Sequence, residues 1–130
     1  MMERYPDIEI YLQCHDIDTI ARWLSEALGG PVDFRPAGRN RWRCRISSQD
    51  TTIPVLLIDN ATEDFASLWF DSDATPWPRD VDCARQASQA LNCKVRCSLG
   101  SWQPGDDPDR FLQVNADGEE HVIDWPDSGQ

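Results

Sequence analysis

No stretch of this chain is apolar for long enough to cross a membrane as a helix, which takes about 20 residues. The opening residues Met1 to Pro6 hold no basic segment followed by an apolar one. Neither a membrane span nor a secretory leader is therefore expected, and a cytoplasmic location is. Basic residues are scarce, 12 against 23 acidic, for a formal net charge of −11. A surface of that sign repels polyanions and disfavours nucleic acid as a partner. The sequence has no GxSxG, no phosphate-binding P-loop and no dinucleotide fingerprint. It also has no CxxC, and its five cysteines are odd in number and irregular in spacing. That argues against a disulfide framework and a zinc site, leaving small buried thiols as the expectation.

What is present is an order of elements stated twice. Residues 8–59 read as a strand, a helix and three short strands, and residues 65–125 read the same way. A repeat of about sixty residues in two copies is too long and too few for a solenoid. The expectation is an α+β fold of two βαβββ modules. These form a curved mixed sheet around a groove, with one helix per module on the outside. At 130 residues with 40% hydrophobic content the chain is expected to be a single domain, residues 126–130 being a mobile tail.

Local signals support each element. Ile8 to Cys14 alternates apolar and polar residues, so Ile8, Ile10, Leu12 and Cys14 share the face toward the helix. Asp16 or Asp18 caps a helix whose stripe is Ile17, Ile20, Ala21, Leu24, Ala27 and Leu28, and Gly29-Gly30 end it. Strands are predicted at Val32–Arg35, Arg41–Ile46 and Thr52–Asp59, with Pro36-Ala37-Gly38 as a turn and Pro54 marking an edge or a bulge. In the second half, Phe65 to Asp71 reads as a strand and Pro78 as the first residue of a helix with the stripe Val81, Ala84, Ala87 and Leu91. Strands at Cys93–Leu99, Phe111–Asn115 and His121–Trp125 follow, the last two around the hairpin signal Ala116-Asp117-Gly118.

Asp16-Ile17-Asp18 with Ala21-Arg22-Trp23-Leu24-Ser25-Glu26-Ala27-Leu28-Gly29-Gly30 resembles the first strand–helix segment of the vicinal oxygen chelate superfamily. That group includes glyoxalase I, the extradiol dioxygenases and the bleomycin- and fosfomycin-resistance proteins. Asn115-Ala116-Asp117-Gly118 with His121-Val122-Ile123-Asp124-Trp125 resembles its closing hairpin. The resemblance implies metal-ligand positions at Glu9, Asp59, Ser67 and Asp124, and a homodimer. The metallo-enzymes of the family usually carry histidine at the first and third of these, where this chain has Glu9 and Ser67. No cofactor is therefore expected; a divalent cation, if bound, would be held by Glu9, Asp59 and Asp124.

Strand parity places Glu9, Tyr11 and Gln13 on the face away from the helices, with Ser67, Trp69 and Asp71, and the positions implied by the resemblance add Asp59 and Asp124. Such a face suits a cationic or zwitterionic, partly flat ligand through charge pairing and cation–π contact. Alternatively, these carboxylates pair with the arginine strand. Arg41, Arg43 and Arg45 share one face of that strand while Trp42, Cys44 and Ile46 share the other. Arg43 then either recognises an anionic group or belongs to a solvent-facing ladder. Of the six tryptophans, Trp42 and Trp125 read as core. Trp23 sits at the margin of its helix stripe, toward a partner subunit, and Trp77 and Trp102 lie in loops, where they mark a binding surface or fold back on the core. The leading expectation is a non-catalytic small-molecule binder of bleomycin-resistance style. The alternatives are a metal-dependent lyase or dioxygenase of the same superfamily and a protein-interaction module with a filled groove.

Overall fold

In the computed structural model, residues 5–48, 50–62, 64–99 and 110–125 are described. Alternation of apolar residues at Ile8, Ile10 and Leu12 builds β1 (Ile8–Leu12), all three side chains being fully buried. Asp16 then accepts the backbone N–H groups of Asp18 and Thr19 and caps α1 (Ile17–Leu28), which ends on left-handed Gly29. β2 (Arg35–Gly38), β3 (Arg41–Ser48), β4 (Thr51–Thr62) and β5 (Phe65–Phe70) follow, then α2 (Asp80–Leu91), β6 (Val95–Ser98), β7 (Arg110–Val114) and β8 (Glu120–Asp124). No helix among the described residues is long and apolar enough to cross a membrane.

All eight strands form one sheet in the order β2-β3-β4-β5-β1-β6-β7-β8. Every neighbouring pair is antiparallel, so the sheet is not the mixed one expected. The reason is the place of β1. It lies between β5 and β6, so the two strands joined through α2 run parallel without touching each other. The order along the chain repeats, but the pairing does not: β5 takes β4 as its other neighbour, whereas β1 takes β6.

Both helices cover one face. Ile20, Leu24 and Leu28 of α1 and Cys83, Ala84 and Ala87 of α2 share a core with Ile10, Leu57, Leu68, Val95 and Val114. Trp23, expected at the edge of the helix stripe, lies inside this core, stacked on Trp77 with ring centroids 5.6 Å apart. Trp77, in the loop before α2, is buried with it; Trp102 lies outside the described residues.

Several boundaries move for local reasons. Pro36-Ala37-Gly38 is strand rather than turn, because β2 is an edge where a missing N–H costs nothing; left-handed Asn40 makes the turn instead. Pro54 lies in an interior strand, at the point where β5 has ended: its carbonyl accepts the Asp71 N–H at 3.0 Å, beyond the last β5 residue. α2 starts at Asp80, two residues after Pro78, with Arg79 as its N-cap.

The end of α1 abuts β3. A Cβ on Gly30 would sit 2.5 Å from the Ser47 carbonyl oxygen, whereas one on Gly29 would meet nothing within 4 Å. Gly30→Ala is expected to cost about 1–3 kcal/mol through this overlap. Thermal denaturation checks it: no change in Tm would show that the α1–β3 contact yields freely.

Candidate functional site

The outward face of the sheet, away from the helices, is read across the strands by register. Arg35 pairs with Arg43, Arg43 with Leu56, Leu56 with Trp69 and Trp69 with Glu9, giving one row over β2, β3, β4, β5 and β1. The next row runs Arg41, Ile58, Ser67, Tyr11, Arg96, Gln113 and His121. Side chains one row apart on a strand share a face, so these rows form a single surface.

At its β2–β5 end this surface holds a cavity of about 470 Å³, lined by Asp33, Arg35, Arg43, Arg45, Leu56, Trp69 and Asp71 among others. Arg35 bonds Asp33 with N···O at 3.1 Å, a mostly exposed pair that contributes little. Arg43 and Arg45 make no ion pair or hydrogen bond among the described residues. Like charges directly opposite on neighbouring strands, such as Arg35 and Arg43, repel each other unless an anion lies between them. The indole of Trp69 is fixed by its Nε1–H, which donates to Asp7 Oδ2 at 2.7 Å.

Behind Trp69 lies a carboxylate cluster. Glu9 accepts the Ser67 hydroxyl at 3.0 Å, and its own backbone N–H donates to Asp80 Oδ1 at 3.3 Å. Burial pushes Asp80 up to about 7, with the neighbouring charges of Asp7 and Glu9 adding to it. Burial also raises Glu9, and raises Tyr11 to about 12, with the Glu9 charge contributing there.

Seven of the expected site residues therefore fall into four places. Arg43, Trp69 and Asp71 meet at the cavity, and Glu9 and Ser67 bond each other on the neighbouring strands. Tyr11 packs instead into a second, outward cluster with Phe65, Phe111 and Trp125, where the Arg96 guanidinium lies 4.6 and 4.5 Å from the Phe65 and Trp125 ring centres. Gln13 lines a separate open cavity beside Cys93 and Lys94.

Asp59 and Asp124 go elsewhere. The pairing of β4 and β5 slips after Ile58, where left-handed Asn60 breaks the alternation, and Asp59 Oδ1 bonds His15 Nδ1 at 2.7 Å. Asp124 pairs with Arg110 and shares its side of β8 with Val122, the face opposite to Glu9. Glu9, Asp59 and Asp124 thus do not converge, and among the described residues no three acidic, histidine or cysteine side chains group to hold a metal ion.

Sequence patterns did not single out Arg35, Arg45, Asp33 or Asp80 as site residues. Arg45 was visible as part of the ladder; the others reach the site through strand order, which leaves no local trace. Comparison with family models, with curated proteins and with solved structures finds no match to this chain. The reading of the site accordingly rests on its residues.

Proposed function

We propose that this protein binds a small zwitterionic molecule without transforming it. The anionic group lies against Arg43 and Arg45, and the cationic or flat part against Trp69 and Asp71. One observation carries the reading: in a chain with 23 acidic and 12 basic residues, two guanidiniums have no acid partner among the described residues while sharing a cavity with an indole and a carboxylate. Neutralising them would have been easy, and an oxyanion held by arginine forks gives them a partner. The volume falls in the range of small-ligand sites, about 300–1,000 Å³.

Kinship with the bleomycin-resistance branch of the vicinal oxygen chelate superfamily belongs to the same proposal. It is supported by the strand–helix–three-strand order in both halves, while the asymmetric pairing of β1 and β5 departs from a plain duplication. The metal-dependent enzyme reading has less support, because its three carboxylates do not group among the described residues.

Phosphocholine serves as the test probe, with choline and inorganic phosphate as its two halves, followed by calorimetry and tryptophan fluorescence. Phosphocholine is expected to bind more tightly than either half. Arg43→Ala combined with Arg45→Ala is expected to weaken it about 10–100-fold, the size of lost charge-assisted hydrogen bonds. Binding unchanged in that variant, or no saturable binding of any probe, defeats the proposal.

A further inference from the structure

The β1–β6 ladder pairs Tyr11 with Arg96 and Leu12 with Val95. The Gln13 N–H donates to the Lys94 carbonyl at 3.0 Å and carries the same register one pair further. Counted one residue further, past the ends of both strands, this register faces Cys14 with Cys93, and the Cys14 thiol lies near enough to raise that of Cys93. In a regular ladder the pair after a hydrogen-bonded one is of the other kind, with Cα atoms about 4.5 Å apart. That spacing lies within the Cα range of disulfides, about 4.4–6.8 Å.

Both cysteines are free thiols, half-buried at the margin of the helix-side core. Cys93 also lines an open surface cavity of about 640 Å³ shared with Gln13, Asn92 and Lys94, so a small oxidant reaches it from solvent. Burial, with Cys14 beside it, pushes the Cys93 thiol up to about 11, so little thiolate is present at neutral pH and oxidation is slow. Cys83 and Cys97 offer the contrasting case: both are wholly enclosed by the core.

We propose that Cys14 and Cys93 are a redox pair that closes a disulfide across β1 and β6. The bond would tie the point where the chain leaves β1 for α1 to the point where it passes from α2 into β6. With a hydroperoxide as oxidant, one thiolate attacks the O–O bond, becomes a sulfenic acid and releases water from hydrogen peroxide. The second thiolate then displaces the sulfenic oxygen as another water. Two thiols and one peroxide thus give one disulfide and two waters. The closed loop takes in most of the chain, so the bond constrains the unfolded state strongly.

The test uses the purified full-length chain, fully reduced, then treated with hydrogen peroxide, with thiols counted in denaturant and digests mapped by mass spectrometry. Two of the five thiols are expected to disappear, in a single cross-linked peptide joining Cys14 to Cys93. The melting temperature should rise by about 5–15 °C and return to its starting value with dithiothreitol. Cys14→Ser and Cys93→Ser should each remove both the cross-link and the rise. The map of the natural chain decides the matter even where a variant does not fold. Retention of all five thiols, or a link between Cys83 and Cys97, overturns the proposal. It stands apart from the small-molecule site, since neither cysteine lines that cavity.

Discussion

Trp77→Ala is expected to remove about 3–5 kcal/mol of stability, the usual cost of deleting a large buried aromatic. For a domain of this size that lowers Tm by more than about 10 °C and takes up a large part of a typical total of about 5–15 kcal/mol. The residue lies in a loop, yet it joins three elements. Its ring stacks on Trp23 of α1 at 5.6 Å and meets Phe70 of β5 edge-on at 5.2 Å. Its Nε1–H donates to the Gln86 side chain on α2. Truncation leaves a void between the two helices and the sheet that neither helix can close alone. Trp77→Phe keeps a ring in the stack but loses the hydrogen bond and part of the indole's volume, so about 1–3 kcal/mol is expected there. Urea denaturation of the two variants and of Trp23→Ala checks the arrangement. A Trp77→Ala loss below 1 kcal/mol, or strict additivity with Trp23→Ala, would place the indole outside the core.

Periodicity made much of the fold legible. The alternation of Ile8, Ile10 and Leu12, the α1 stripe ending at Gly29 and the turn closed by left-handed Gly118 are local patterns, and each appears where it was expected. The facing of Arg43 and Arg45 away from Cys44 and Ile46 follows from the same period of two. Strand order has no such signal. Nothing in residues 8–12 says that they lie between β5 and β6, and that insertion turned an expected mixed sheet into an antiparallel one. Asp59 leaves the outward face by the alternation itself: Leu56 and Ile58 lie on that face, so the next residue does not. Trp77 was ambiguous because a loop residue carries no period, so burial depends wholly on where the loop lands.

Stability is expected to fall as pH rises from about 4 to 7, against the common pattern, and Asp80→Asn is expected to remove most of that slope. Asp80 is half-buried near Asp7 and Glu9, and this partial burial raises its pKa in the folded chain to about 7. In the unfolded chain it is near 3.9. A carboxyl whose folded pKa is raised favours folding while protonated. Its contribution is full below about pH 4, is lost progressively between there and pH 7, and stays lost above. Three pH units correspond to an effect on the order of 4 kcal/mol. The N-terminal end of α2 attracts the anion by only about 0.3–1 kcal/mol and does not reverse the sign.

Glu9, raised by burial, tilts stability the same way. So does His15, raised chiefly by its bond to Asp59: its contribution is present below the unfolded value near 6.5 and lost as pH climbs through the folded one. Asp16, lowered by its bonds to Thr19, works only on the acid side, where its cap is lost as pH falls through its folded value. Asn at position 80 keeps an oxygen for the Glu9 N–H and carries no charge to bury. The variant should therefore match the natural chain near pH 4.5 and exceed it near pH 8. Melting profiles across that range are decisive. If the natural chain gains stability toward pH 8 and Asp80→Asn loses it, the carboxylate is charged in the fold and has a cation partner that the described residues do not supply.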